Sequence, residues 1–141
     1  MMLSLEEIKA ILPHREPFLL VDEVLDYTPM KGGIGIKHVH ADEFYFKGHF
    51  PGHPVMPGVL ITESLAQMGA IVLLSDPQYR GKIAYFTGIE KARFRKKVVP
   101  GDTLKLDVEI TKMRGRFGFG TAVATVEGEV ACEAQFSFVV G

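Results

Sequence analysis

Residues 58–75, GVLITESLAQMGAIVLLS, form a segment of helix length whose apolar side chains point to nearly every side. A helix of that kind has no face suited to water and is normally buried. The rest of the chain must therefore surround it. Pro57 suits the start, because its missing N–H is no loss in a first helical turn. The end is expected near Ser75, ahead of Pro77. Thr62, Glu63, Ser64 and Gln67 leave the run at 59–74 too short and too polar for a membrane span.

Most of what surrounds this helix reads as strand. TLKLDVEIT at 103–111 alternates cleanly, with Leu104, Leu106, Val108 and Ile110 on one face. GTAVATV and EVACEAQFSFVV flank Glu127 and Gly128, a hairpin turn. Further strands are expected over 17–25, 33–40, 82–89 and 94–99, with Gly88 as a possible bulge. Aromatics, glycines and prolines make 41–57 a long, ordered loop. Ser4 followed by Glu7 is a capping-box pattern, which starts a short helix over about 5–12, ended by Pro13. One buried helix and about six strands joined by short turns give an α+β fold, an antiparallel sheet wrapped around a helix. At 141 residues the chain is expected to be one domain, residues 1–141.

Composition narrows the class. Hydrophobic residues make up 47% of the chain and Phe occurs ten times, enough for a substantial core. A net charge of −1 gives no global case for nucleic acid. The single cysteine, Cys132, excludes an intrachain disulfide and fits a reducing compartment. The N-terminus, MMLSLEEIKAI, carries acidic residues where a secretion signal needs a basic region and a long apolar run. A cytoplasmic domain without a membrane span is the expectation.

The chemistry centres on HFPGHPVMPG, residues 49–58. His49 and His53 stand four apart, a spacing that binds zinc when a helix places both on one face. Pro51, Gly52 and Pro54 rule out a regular helix here, and no third ligand set lies nearby. His38 and His40, two apart on a strand, read as exposed rim residues. A different constellation joins the loop to the helix behind it. A helix N-terminus presents unpaired N–H groups and a partial positive charge. Gly58 sits there without a side chain, open to a close ligand oxygen. Glu63 lies in the apolar helix, and Gln67, four residues on, shares its face. A carboxyl in such a helix is costly unless paired or protonated, and the protonated form suits a general acid. Glu63 paired with a basic side chain on the covering sheet is the structural alternative.

LPHREPFLLVDEV at 12–24, GHFPGHPVMPGVLITESLAQ at 48–67 and ARFRKKVVPGD at 92–102 resemble the (3R)-hydroxyacyl-[acyl carrier protein] dehydratases of type II fatty acid synthesis. The resemblance covers nearly the whole chain, in order and spacing. It implies a hot-dog fold, and a homodimer as the minimal active unit, commonly assembled as a trimer of dimers. Each site then forms between subunits, with the histidine from one and the carboxylate from the other. Residue by residue it implies His49 as the catalytic histidine, Glu63 as the acid, and the Gly58 N–H as the donor to the thioester oxygen. Gln67 supports Glu63, and His53 is a bystander. No metal, nucleotide or redox cofactor is implied.

The reaction so implied removes water from a β-hydroxyacyl thioester to give a trans-2-enoyl thioester. His14 (in the PHR element), Tyr85, Phe86 and Phe94 are candidates for the substrate tunnel, with ordinary core packing as the alternative for the aromatics. Lys91, Arg93, Arg95, Lys96 and Lys97 form a basic run that suits an acidic acyl carrier protein bearing a phosphopantetheine arm. The same run also suits a charged sheet edge. A dehydratase/isomerase that also makes the cis-3 enoyl product shares the implied fold. Its family carries aspartate where this chain has Glu63. A hot-dog thioesterase and a non-catalytic acyl-binding domain are the remaining alternatives.

Overall fold

A computed structural model of the chain describes residues 2–141. Helix α1 (Leu5–Ile11) begins with the expected reciprocal cap: the Ser4 hydroxyl accepts from the Glu7 N–H, and the Glu7 carboxylate accepts from the Ser4 N–H. Strands β1 (Glu23–Thr28) and β2 (Gly32–His38) follow. Helix α2 (Gly58–Leu74) comes next, then β3 (Ala84–Phe94), β4 (Thr103–Arg114), β5 (Phe117–Val126) and β6 (Glu129–Val140). The six strands make one antiparallel sheet in the order β1-β2-β4-β5-β6-β3.

The sheet wraps α2, as in the hot-dog arrangement. Leu65, Met68, Ile71, Val72, Leu73 and Leu74 of the helix are buried, against Leu104, Leu106 and Val108 of β4 and Phe136 and Phe138 of β6. Two glycines of β2 let α2 come close. A Cβ on Gly33 would stand 2.9 Å from the Met68 methyl, and one on Gly35 would stand 2.6 Å from its sulfur. The β5–β6 turn has φ of 50° at Glu127 and 81° at Gly128, the paired positive values of a type I′ hairpin.

Three sequence expectations need correction. The strand expected over 17–25 begins only at Glu23. The Asp22 N–H still donates to the Ile36 carbonyl of β2, but Phe18 and Leu20 before it pair with α2 side chains instead of a neighbouring strand. The Leu20 N–H donates to Gln67 Oε1 at 2.7 Å, the Ser64 hydroxyl donates to the Leu20 carbonyl, and Gln67 Nε2 donates to the Phe18 carbonyl at 2.8 Å. The strand expected over 94–99 is absent: β3 runs to Phe94 and stops. Arg95 makes one further bond to the Ala131 carbonyl, after which the chain crosses to the loop before α2, where Val98 accepts from the Met56 N–H. Within 41–57, Phe44–Phe46 form a 3₁₀ turn, which buries Tyr45 and Phe46. Gly88 does lie beside a bulge, between Phe86 and Gly88.

Candidate active site

The loop carrying His49 is anchored at both ends. At its start, Lys37 on β2 takes an inward position and is buried. Its ammonium lies 2.6 Å from Glu43 Oε1 and 3.9 Å from Asp22 Oδ2. The other Glu43 oxygen accepts from the His40 N–H at 2.9 Å, and Asp22 accepts from the His38 N–H at 2.6 Å. The buried charge is thereby matched and hydrogen-bonded, which is the condition for tolerating it. Sequence alternation carried no signal for this cluster: Ile34 and Ile36 are the apolar members of the strand, whereas Lys37 shares the inward face with Gly33 and Gly35, which lie against Met68. His38 and His40 themselves are exposed, as expected.

The loop then closes on itself. His49 and Val55 are joined by a backbone bond at 3.0 Å, and Phe50 and His53 by a reciprocal pair at 3.1 and 2.9 Å. Gly52, at φ 76°, makes the tip possible. The His49 ring turns back so that Nδ1 lies 2.7 Å from the Val55 carbonyl. A carbonyl only accepts, so Nδ1 carries the proton and the neutral ring presents its lone pair at Nε2. The ring stacks on Phe50, with centroids 4.0 Å apart. His53 is exposed at the turn.

His49 and Gly58 line one pocket of about 470 Å³, with Met56, Val59 and Ile61 on its apolar side and Arg95, Lys96 and Lys97 at its rim. Gly58 is the first residue of α2, where the N–H has no intrahelical acceptor. Its missing side chain serves a purpose not expected from sequence. A Cβ there would stand 2.7 Å from the Phe94 ring, so the aromatic occupies that space. Phe94 is accordingly a wall of the His49 pocket.

Glu63 lies elsewhere. Five residues from Gly58, it points roughly 140° away around the helix. It lines a second pocket, of about 500 Å³, with Pro13, His14, Gln67, Tyr85 and Phe86. The two pockets share no lining residue. The Glu63 side chain keeps 30% exposure, so the expected full burial is corrected: it sits at the mouth of this pocket. Neither is its partner a basic residue of the sheet. Gln67 Nε2 donates to Oε2 at 2.9 Å, and His14 Nε2 lies 3.8 Å from the same oxygen. Phe86 packs edge-on against Phe136 and Phe138, with centroid distances of 5.5 and 6.3 Å, so it forms pocket floor and core together.

The basic run divides as well. Arg95 pairs with Glu133 at 2.7 Å and Lys96 with Glu129 at 3.2 Å, both on β6. Lys91 and Arg93 lie on β3, and Lys97 lies on the His49 rim without a salt bridge among the described residues. No cluster of three or more metal-ligating side chains occurs among the described residues.

Residues 12–135 match the model of the FabA-like domain, a span that contains both pockets' polar residues. A 3-hydroxyacyl-[acyl-carrier-protein] dehydratase FabZ of Clostridium botulinum is 59% identical over 139 residues, covering 99% of this chain and 96% of the relative. The dehydratase FabZ of Clostridium novyi is 58% identical over 141 residues, covering 100% and 99%. Among solved structures, the dehydratase heterocomplex ApeI:P of Xenorhabdus doucetiae superposes with a TM-score of 0.79 at 16% identity, over 94% of this chain and 89% of that one, a likeness of fold. The chain belongs to the FabZ family of 3-hydroxyacyl-[acyl-carrier-protein] dehydratases, within the FabA-like class.

Proposed function

We propose that the chain, as one catalytic domain spanning 1–141, dehydrates (3R)-3-hydroxyacyl-[acyl carrier protein] to the trans-2-enoyl thioester in the cytoplasmic elongation of fatty acids. It is a hydro-lyase, in keeping with relatives 58–59% identical over nearly its full length. The observation that carries the mechanism is that His49 and the open Gly58 amide line one apolar-walled pocket with a basic rim. Nε2 of His49 takes the α-proton. The electron pair left behind develops charge on the thioester oxygen, which the Gly58 N–H and the positive end of α2 stabilise. A donor of this kind is typically worth about 3 kcal/mol in the transition state. As the Cα–Cβ double bond forms, the Cβ–O bond breaks, and Glu63 assists the hydroxyl to leave as water.

His49 and Glu63 line different pockets of one chain, so a shared substrate calls for a second copy. β3 lies at the sheet edge, paired on one side only, and carries exposed Tyr85, Ile89 and Phe94. A two-fold dimer joined near that edge sets the His49 pocket of one copy against the Glu63 pocket of the other and makes two identical sites. The acyl carrier protein docks at the rim. Lys91, Arg93 and Lys97 meet its acidic surface, while Arg95 and Lys96 stay tethered to β6.

The test is product analysis with a 3-hydroxyacyl carrier-protein substrate. Wild-type protein is expected to yield trans-2-enoyl product, with His49→Ala and Glu63→Gln each reduced by about 10²-fold or more while still assembled. Free acid and thiol would indicate a thioesterase instead. Turnover indifferent to His49 would overturn the mechanism.

A further inference from the structure

We infer that His14 is a positioning residue for the dehydration, acting with Gln67 to select which oxygen of Glu63 meets the substrate. The inference rests on the role proposed above for Glu63. Both polar contacts of the carboxylate fall on Oε2: the Gln67 bond at 2.9 Å and the His14 contact at 3.8 Å. No hydrogen bond reaches Oε1 among the described residues, so Oε1 is the oxygen left for the departing hydroxyl.

Gln67 cannot turn around to change this. It is buried, its Oε1 is held by the Leu20 N–H, and its Nε2 also donates to the Phe18 carbonyl. A backbone N–H only donates and a carbonyl only accepts, so the amide must face Glu63 with its NH₂.

His14 is fixed through its neighbour. Arg15 donates to the carbonyls of Lys9, Leu12 and His14 at 3.1, 2.9 and 2.7 Å, which ties the end of α1 to the His14 backbone. The imidazole makes no hydrogen bond among the described residues, and its Nδ1 is buried without a partner. Glu63 is the acidic group it contacts, at 3.8 Å, longer than a hydrogen bond. A half-buried ring that no hydrogen bond retains, set against an anchored carboxylate oxygen, is placed to restrain that oxygen.

The test is a double-mutant cycle on the assembled enzyme with the carrier-protein substrate. His14→Phe, which keeps a ring and removes the polar contact, is expected to lower kcat on the order of 10- to 100-fold with KM within about threefold. His14→Gln is expected to recover most of kcat. Added to Glu63→Gln, His14→Phe is expected to have little further effect, because the group it positions is already gone. A full multiplicative loss on top of Glu63→Gln overturns the inference, as does a raised KM with kcat intact, which marks His14 as tunnel wall. Gel filtration and circular dichroism accompany each variant. His14→Ala replaces His14→Phe if the latter fails to assemble, and failure of both assigns the residue to the fold and sinks the inference. A wild-type protein without dehydration, or Glu63→Gln at full rate, would instead overturn the reading of the site itself.

Discussion

Tyr45 and Lys37 lie near one another in chemistry and on opposite sides of the satisfaction rule. The Tyr45 hydroxyl is buried and faces the Glu43 carboxylate without a hydrogen bond of good geometry among the described residues. Its burial, with the negative charges of Glu43 and Asp22 nearby, holds its ionisation well above the ordinary range. A buried hydroxyl without a partner costs about 1–3 kcal/mol, so Tyr45→Phe is expected to leave stability unchanged or raise it by roughly 1 kcal/mol in urea unfolding. A clear loss would mean that the hydroxyl is in fact satisfied. Lys37 is the reverse case, because its removal leaves Glu43 without its cation. Lys37→Met is expected to destabilise by about 3 kcal/mol, and Lys37→Met with Glu43→Leu to recover part of that. No recovery in the double variant would show that the pair does not act as a unit.

Among the elements, α1 has seven residues and owes its start to the capping box. Short helices are marginal by themselves, so one cap counts. Ser4→Ala is expected to cost about 1 kcal/mol in unfolding experiments. Hydrogen bonds from the Ser4 backbone and side chain hold the Glu7 carboxyl below its ordinary 4.5. A carboxyl lowered on folding contributes stability that is present above the ordinary value and is lost as pH falls through the lowered one. Amide exchange over α1 is therefore expected to quicken as pH drops below about 4.5, after correction for the intrinsic exchange rate, with the same trend abolished in Glu7→Gln. An unchanged trend in Glu7→Gln would assign the acid sensitivity to another group. For β3, the bulges at Phe86/Gly88 and Glu90/Arg93 matter in a different way. They bend an edge strand whose outer side remains unpaired, and it is there that a second copy is proposed to join.

At the scale of the whole molecule, the placement of His49 and Glu63 in separate pockets of one chain makes a prediction that needs no new contact. Under the dimer proposed above, variants His49→Ala and Glu63→Gln, each expected to be inactive by itself, are mixed under conditions that allow subunit exchange. A mixed dimer has one site with both native side chains and one with neither. After random exchange at equal amounts, roughly a quarter of wild-type activity is expected. No recovery, with exchange verified by mass-tagged subunits, would mean that each chain supplies both groups to its own site.

Much of this was legible from local pattern. An apolar helix of this length had to be buried, and period-two alternation over 103–111 had to make a half-buried strand. Ser4 with Glu7 and Glu127 with Gly128 announced a cap and a hairpin, because each satisfies a demand of the backbone within a few residues. The motif words around His49 and Glu63 placed the chain in its family. Other features depend on residues far apart in sequence. Leu20 stays out of the sheet because Ser64 and Gln67, more than 40 positions on, take its backbone groups. β3 ends at Phe94 because its ring is needed against Gly58 and the chain beyond it against Met56. His49 and Glu63 face apart because Glu63 stands five helical positions beyond Gly58. Periodicity and caps are short-range properties that a sequence carries in itself, whereas the sharing of hydrogen bonds and space between distant segments exists only once the sheet has closed around α2.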